Sequence, residues 1–501
     1  MKVSKGLILA CLLIGFFVWL APLRTQDGPN HRKIAVYLAQ YDDTPALQEV
    51  YQDALSLVRT NVLFPALYKP WHKIVSIRSY EKVFFALSLI LLLICYHYFL
   101  SVWAPAQSPL WVLILPFLLH PLFIRGMYNY LASIPLTLLA LTFLRAGLDS
   151  RKISYWFAYT VCVYLGFLAH PFPGFVLAIC LALLAIGQYR TRLLWVMAYA
   201  VPIVVMLGVG FLMPLLTTSM AGADAMIFKP PWELVAGLTF YNFTGYSLVP
   251  WLVILTYLVL LIALMGWSAK STPWHDKIFW IAMLAGYFIF PNERGAGAHL
   301  NERFLPYVWL FLPLGLTLSV RRVRQVQMIS IGIAVIVTAN VLWGMYRVEA
   351  LAQQADTVLE EVPDGARLYP IIFDPMGPAF TYSSLMHLWA HYDDDKTVYS
   401  PSLFAASDMM PLHLRRPPDD GYFPALPENF AEQIAKGQRP EDWSQLFAPV
   451  RYYDYWFVYA PPAAFLAWAA GISGLEKVSE SGASSLWHYN KALAFQPPLP
   501  R

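Results

Sequence analysis

Charged residues are scarce in this sequence, and their scarcity excludes an ordinary soluble fold. Only 13% of the 501 residues are Asp, Glu, Lys or Arg, whereas 58% are hydrophobic and the mean hydropathy is +0.50. Soluble domains carry about 25% charged residues, so we expect a large part of this chain to lie in lipid. The formal net charge of +4 is too small to indicate a nucleic-acid-binding protein.

Cysteine is equally rare, and its positions exclude a disulfide framework. The four cysteines, Cys11, Cys95, Cys162 and Cys180, all lie inside apolar runs. Such thiols pack as small hydrophobic side chains, and their spacing matches no zinc motif. They therefore give no information about the redox compartment.

Long apolar runs dominate what is present. A spanning helix needs about 20 mostly apolar residues. Runs near that length occur at 5–22, 83–101, 108–125, 127–146, 153–169, 172–188, 192–216, 248–267, 277–291, 303–320 and 326–346. They predict an α-helical polytopic membrane protein of about eleven transmembrane helices. No small-residue cleavage site follows the first run, so we expect an uncleaved first helix.

Lysine and arginine in the short loops predict the orientation of the chain. With a cytoplasmic N-terminus, the short cytoplasmic loops hold most of these residues, namely Arg151, Lys152, Arg190, Arg192, Lys270, Lys277, Arg321, Arg322 and Arg324. Loop 23–82 and everything after residue 346 are then extracytoplasmic. We expect an integral protein of a bacterial inner membrane.

Two extracytoplasmic pieces complete the predicted architecture. Residues 1–346 form a transmembrane domain that includes loop 23–82, in which the apolar spacing of 46–58 predicts a helix lying on the membrane surface. Residues 347–501 form a small α/β domain, with expected strands at 368–373 and 455–459.

The first polar cluster follows the first helix and contains Asp27 and His31. A carboxylate at the membrane surface is partly desolvated, and it can then serve as a general base. The alternative is a solvated turn in which Asp27 caps the next helix. Further on, Asp42 and Asp43 could help to bind a divalent cation, although an ordinary helix start at Asp43-Thr44-Pro45 explains them as well.

Three further clusters lie in loops that the topology places on the same outer side, two of them in the turns described here and the third in segment 292–304. Arg125, Asn129 and Tyr130 flank one turn, where they either line a ligand cavity or anchor the interface. His170 lies in the next outer turn, His170-Pro171-Phe172-Pro173-Gly174, as a packed interfacial histidine or as a site residue.

The richest cluster, 292–304, contains Arg294, His299, Glu302 and Arg303 in a glycine-rich loop that opens a late helix. Guanidinium groups match the geometry of phosphate, and a helix N-terminus adds backbone donors. The cluster therefore predicts a phosphate-binding site, with a hydrated loop as the alternative. The shared side of all these clusters implies one site at the outer face.

The layout of the chain, together with Asp27-Gly28-Pro29-x-His31 and Glu302-Arg303-Phe304, resembles the GT-C superfamily of integral-membrane glycosyltransferases and its bacterial members in particular. The resemblance covers the whole chain as architecture. It consists of one helix, a large outer loop with an early acid, a helical bundle and an extracytoplasmic C-terminal domain.

The resemblance implies an inverting transfer of a sugar from a polyprenyl-phosphate-linked donor to an acceptor, which is a saccharide, lipid or protein. Asp27 would be the general base, helped by His31. Arg303, Arg294 and Arg125 would hold the donor phosphate, and Asn129, Tyr130, His170, His299 and Glu302 would line the substrate site. Many members carry two acids close together after helix 1. Here the next acids are Asp42 and Asp43, so a divalent cation stays an open expectation.

Two other functions remain as alternatives. A transporter or flippase of a lipid-linked envelope saccharide would place ionisable groups at mid-membrane. In the apolar runs such groups are scarce, His97 and His120 being the notable ones. A non-catalytic scaffold, with 347–501 as a partner-binding domain, is the other alternative.

Overall fold

The computed structural model describes most of the chain: residues 5–187, 189–217, 226–240, 255, 257–259, 261–264, 268, 274–294, 299–377, 380, 383–392, 396–400, 403, 410–415 and 453–490. The chain divides into two compact units. The helical unit consists of Met1–Leu23, Ser56–Phe64 and Ser79–Gly344. The mixed unit consists of Arg24–Leu55, Pro65–Arg78 and Met345–Arg501.

Helices make up most of the described chain. The α-helices are α1 Lys5–Leu20, α2 Gly28–Gln40, α3 Pro45–Val50, α4 Leu63–Tyr68, α5 Ile77–Trp103, α6 Pro121–Ile124, α7 Tyr128–Ser150, α8 Ile153–Ala169, α9 Phe172–Ile186, α10 Leu193–Thr217, α11 Pro231–Phe240, α12 Trp274–Ile289, α13 Leu305–Phe311, α14 Val320–Leu359 and α15 Ala463–Ala470. The strands are β1 Tyr51–Asp53, β2 Met226–Ile227, β3 Glu293–Arg294, β4 Leu368–Ile372, β5 Leu412–Leu414, β6 Tyr455–Tyr459, β7 Leu475–Ser481 and β8 Ser484–Tyr489.

The helical unit has the surface of a protein that lies in lipid. Within the described residues, α5, α7 and α14 are the three helices long and apolar enough to cross a membrane, and α1, α8, α9, α10 and α12 contain shorter apolar helices. Helix α1 leaves Leu12 67% and Phe16 63% exposed. Burial in hydrocarbon explains large apolar side chains that the protein itself does not cover. A mainly helical membrane protein is thus confirmed, while the count of eleven spans stays a prediction.

Two predicted spanning helices are wrong as continuous α-helices, and proline explains both. The run 108–125 forms a 3₁₀ helix, Pro105–Phe117, followed by the short α6. The run 303–320 contains only α13, flanked by the 3₁₀ segments Glu302–Phe304 and Leu312–Gly315. Prolines within or beside these segments lack the N–H that an α-helix needs. The run 248–267 lies largely outside the described residues.

The mixed unit is built around a four-stranded sheet of order β4-β6-β8-β7, in which β4 and β6 are parallel and the other pairs antiparallel. The two predicted strands are confirmed as β4 and β6. Trp456 and Val458 of β6 are fully buried against Phe465 of α15. Their burial makes the sheet and helix one core.

The predicted surface helix at 46–58 is wrong. Helix α3 ends at Val50, and Tyr51 takes an extended conformation that opens β1. Strand β1 pairs antiparallel with β5, with Tyr51 opposite Leu414. Tyr51 is 1% exposed. Pairing with a strand about 360 residues away overrides the local helical periodicity, and of the apolar side chains Leu47 and Tyr51 are buried while Val58 is exposed.

Candidate functional site

In the mixed unit, Asp27 stands at the residue before α2, but its side chain does not cap that helix. The hydroxyl of Thr25 instead accepts the Gly28 N–H at 3.1 Å. The carboxylate of Asp27 turns to His387, whose Nε2 lies 3.5 Å from Oδ1. Because Thr25 accepts this N–H, the carboxylate of Asp27 is not used to cap the helix.

His31 lies one turn further along α2. Burial lowers its pKa to about 4, although the nearby Asp27 carboxylate opposes the shift. The ring is therefore neutral at pH 7 and adds no positive charge beside Asp27. The structure thus places the two predicted catalytic residues together on one turn.

A buried ion network fixes the chain just before Asp27. Arg24 contacts Glu349, Asp356 and the ring of His391, with Nη2 at 3.1 Å from Asp356 Oδ2. Burial and the Arg24 charge lower the pKa of His391 to about 3. This network was not predicted from sequence. The sequence pattern that could have indicated it is the seven-residue spacing of Glu349 and Asp356, which puts both carboxylates on one face of α14.

The two acids considered for a metal lie beside lysines. Lys69 Nζ is 3.3 Å from Asp42 Oδ2, and Lys73 Nζ is 3.7 Å from Asp43 Oδ2. Both carboxylates are more than 70% exposed. Within the described residues, no three His, Cys, Asp or Glu side chains converge on a common point.

In the helical unit, Glu302 is the centre of a cluster of basic side chains. Its side chain is 1% exposed and lies 3.4 Å from Arg125 Nη1, 2.9 Å from Lys229 Nζ and 3.0 Å from His299 Nδ1. Burial alone would raise the pKa of Glu302, but His299, Arg125 and Lys229 outweigh it and hold the pKa well below its usual range. Glu302 is therefore an anion that orders its neighbours.

Arg303 continues this cluster. Its Nη1 lies 3.0 Å from His170 Nε2, and its carbonyl accepts the Tyr130 hydroxyl at 2.5 Å. A guanidinium group stays charged at pH 7 even when it is buried. Arg125, Lys229 and Arg303 together outnumber the single carboxylate of Glu302. This cationic cluster thus has a net positive charge, as an anion site requires.

Two candidates have other surroundings. Asn129 organises the 56–64 segment: its Oδ1 accepts the Phe64 N–H at 2.8 Å and its Nδ2 donates to Asn61 O at 2.9 Å. It serves there as a structural bridge. Arg294 lies in β3, opposite Met226 of β2, but its side chain falls outside the described part.

Lys229, Glu81 and His387 were not predicted from sequence. The carboxylate of Glu81, 2% exposed, accepts the Tyr128 hydroxyl. Lys229 and His387 each meet a predicted residue from a distant part of the chain. No local pattern marks such pairs. Glu81 lies just before the apolar run 83–101 and beside Lys82, so its sequence context gave no signal either.

Comparison with known proteins identifies the fold. No family profile matches the sequence, and no curated protein matches it. ArnT from Cupriavidus metallidurans bound to undecaprenyl phosphate is a structural match with a TM-score of 0.55 and 12% identity, over 99% of this chain and 100% of that one. Its apo structure gives a TM-score of 0.57 and 11% identity over the same shares. The chain therefore has the fold of ArnT, which is consistent with the expected GT-C architecture.

Proposed function

We propose that this protein is a membrane glycosyltransferase that moves a sugar from a polyprenyl-phosphate-linked donor to an acceptor hydroxyl, with inversion, at the extracytoplasmic face. The observation that carries the proposal is the likeness, over 99% of the chain, to a structure that holds undecaprenyl phosphate. The Lys and Arg bias of the loops supports a cytoplasmic N-terminus in a bacterial inner membrane.

Asp27 is the proposed general base. The acceptor oxygen forms a bond to the anomeric carbon, the bond from that carbon to the phosphate oxygen breaks, and the acceptor proton passes to Asp27. The environment of Asp27 supports the role, because its side chain is 14% exposed and neutral His31 leaves its charge intact.

The cationic cluster is the proposed phosphate site. The phosphate gains a negative charge as it leaves, and cations already in position stabilise that charge without reorganising. Arg303 and Arg125 supply guanidinium donors, and Lys229 adds a third cation. Glu302 holds Arg125 and Lys229 in place and keeps the cations from repelling each other. Arg294, on β3, is a further candidate.

Arg303→Ala should weaken binding of undecaprenyl phosphate by about 10- to 100-fold, the equivalent of losing one or two hydrogen bonds to a charged group. The measurement is titration of the full chain in nanodiscs with undecaprenyl phosphate. Arg303→Lys should recover part of the loss, since lysine keeps the charge but not the fork of donors.

Arg321→Ala is the matched control, because Arg321 is an exposed arginine at the start of α14. The affinity of Arg321→Ala for undecaprenyl phosphate should equal that of the wild type. Equal affinities for wild type and Arg303→Ala would remove Arg303 from the phosphate site. Undecaprenyl phosphate that fails to bind the wild type at all would reject the proposed donor class.

A further inference from the structure

His387 contacts two polar side chains of the α2 region through its two ring nitrogens. Nδ1 lies 2.8 Å from Asn30 Nδ2, and Nε2 lies 3.5 Å from Asp27 Oδ1. Asn30 and His387 are 0% and 5% exposed. All three residues belong to the mixed unit. The ring therefore joins the proposed base to a buried amide one turn along the same helix.

The tautomer of His387 follows from these neighbours. A neutral imidazole has one donor nitrogen and one acceptor nitrogen. If the amide N–H of Asn30 donates to Nδ1, the ring proton lies on Nε2 and faces the carboxylate of Asp27. The opposite arrangement would turn the Nε2 lone pair toward an anion, which is repulsive. The two contacts together favour the tautomer in which the proton lies on Nε2 and faces Asp27.

Two other basic residues of this region, His31 and Arg24, do not take this role. His31 is neutral at pH 7 because burial lowers its pKa to about 4. Arg24 is engaged with Glu349 and Asp356. At 3.5 Å the contact of His387 with Asp27 is longer than a formed hydrogen bond, and such contacts tighten when substrate binds.

We propose that His387 is a positioning residue that holds Oδ1 of Asp27 through Nε2–H, so that Oδ2 is directed at the acceptor hydroxyl. The role rests on the proposed function, in which Asp27 is the base. Donation to one oxygen limits rotation of the carboxylate, and a small misorientation of a base costs up to about 100-fold in rate.

Kinetics of three variants separate positioning from bulk packing. His387→Ala should lower kcat by about 10- to 100-fold with little change in donor KM, because His387 orients the base and does not bind the donor. His387→Gln should recover most of that rate, since the glutamine amide nitrogen takes the place of Nε2. His387→Asn should not, because its shorter amide reaches only the position of Nδ1.

The assay uses the full chain in nanodiscs, a panel of radiolabelled undecaprenyl-phosphate-linked sugars and total envelope lipid as acceptor. Equal rates for the Gln and Asn variants would overturn the donor role of Nε2. A loss that appears in KM instead of kcat would place His387 in donor binding and would overturn positioning.

A second measurement reads the pairing without activity. In ¹⁵N-histidine NMR of the wild type, with the His387 signal assigned by its loss in His387→Gln, we expect the Nε2–H tautomer and a change in both nitrogen shifts in Asp27→Asn. The inference would be overturned by an Nδ1–H tautomer, or by ¹⁵N shifts of His387 that are the same in the wild type and in Asp27→Asn. If NMR shows that His387 pairs with Asp27 but no sugar is transferred, the proposed function is rejected. If sugar is transferred but His387 does not pair with Asp27, only the role of His387 is rejected.

Discussion

Asp27→Asn should reduce sugar transfer by about 10²- to 10⁴-fold, the usual contribution of a general base, while the protein still folds. The amide has the shape of the carboxylate and its oxygen can still accept the Nε2–H of His387, but it cannot take a proton at neutral pH. The measurement is the initial rate of transfer to envelope lipid in nanodiscs, together with thermal unfolding to confirm that the variant is folded.

Asp42→Asn is the matched control for this substitution. Asp42 is 74% exposed and pairs with Lys69, and exposed ion pairs contribute at most about 1 kcal/mol to stability. Its rate should stay close to that of the wild type. A transfer rate in Asp27→Asn equal to the wild-type rate would show that the base lies elsewhere, even if the protein is a transferase.

Glu302→Gln is expected to have the largest effect on stability. Glu302 is 1% exposed, and the side chains of Arg125 and Lys229 beside it are 10% and 15% exposed. Removing one partner of a buried ion pair leaves an uncompensated charge and costs about 3–5 kcal/mol. The thermal unfolding midpoint should therefore fall strongly. Glu480→Gln is the control, because Glu480 is 58% exposed and pairs only at the surface with Lys477.

The same carboxyl gives a pH dependence with a definite sign. The pKa of Glu302 in the folded protein lies well below the ordinary value of 4.5. The carboxylate therefore contributes its full stabilisation at pH values above about 4.5. As the pH falls below about 4.5, Glu302 becomes protonated in the unfolded chain but stays ionised in the folded protein. The free energy of unfolding therefore decreases. The midpoint of the wild type should thus drop faster with acid than that of Glu302→Gln. Parallel curves for the two proteins would contradict the depressed pKa.

Local signals in the sequence were enough to predict much of the fold. The run 153–169 matches α8 residue for residue, because Arg151-Lys152 and His170-Pro171 bound it on both sides. Strands β4 and β6 were likewise visible as apolar segments beside turns. The predictions that failed depended on non-local pairing, as for Tyr51, or on prolines that favour 3₁₀ geometry over α-helix, as in 105–117.

The candidate site shows the same division. Glu302 and Arg303 were found from sequence because they are adjacent charged residues at the edge of an apolar run. The adjacency did not reveal their different roles, since only the fold brings Arg125 and Lys229 to Glu302. His387 sits 360 residues after Asp27 in an unremarkable stretch, and no pattern in either segment points to the other.

The mixed unit draws on three separate stretches of the chain, and this division sets the order in which the protein can assemble. The hydroxyl of Tyr37 in α2 forms its hydrogen bonds with Tyr392 and Val398, and β1 pairs with β5, so both need segments from the last quarter of the chain. During synthesis the segment that carries Asp27 emerges early and stays incomplete until almost the whole polypeptide has been made. A chain that stopped after α14 would contain Asp27 without His387 and β1 without β5, so its mixed unit could not be completed.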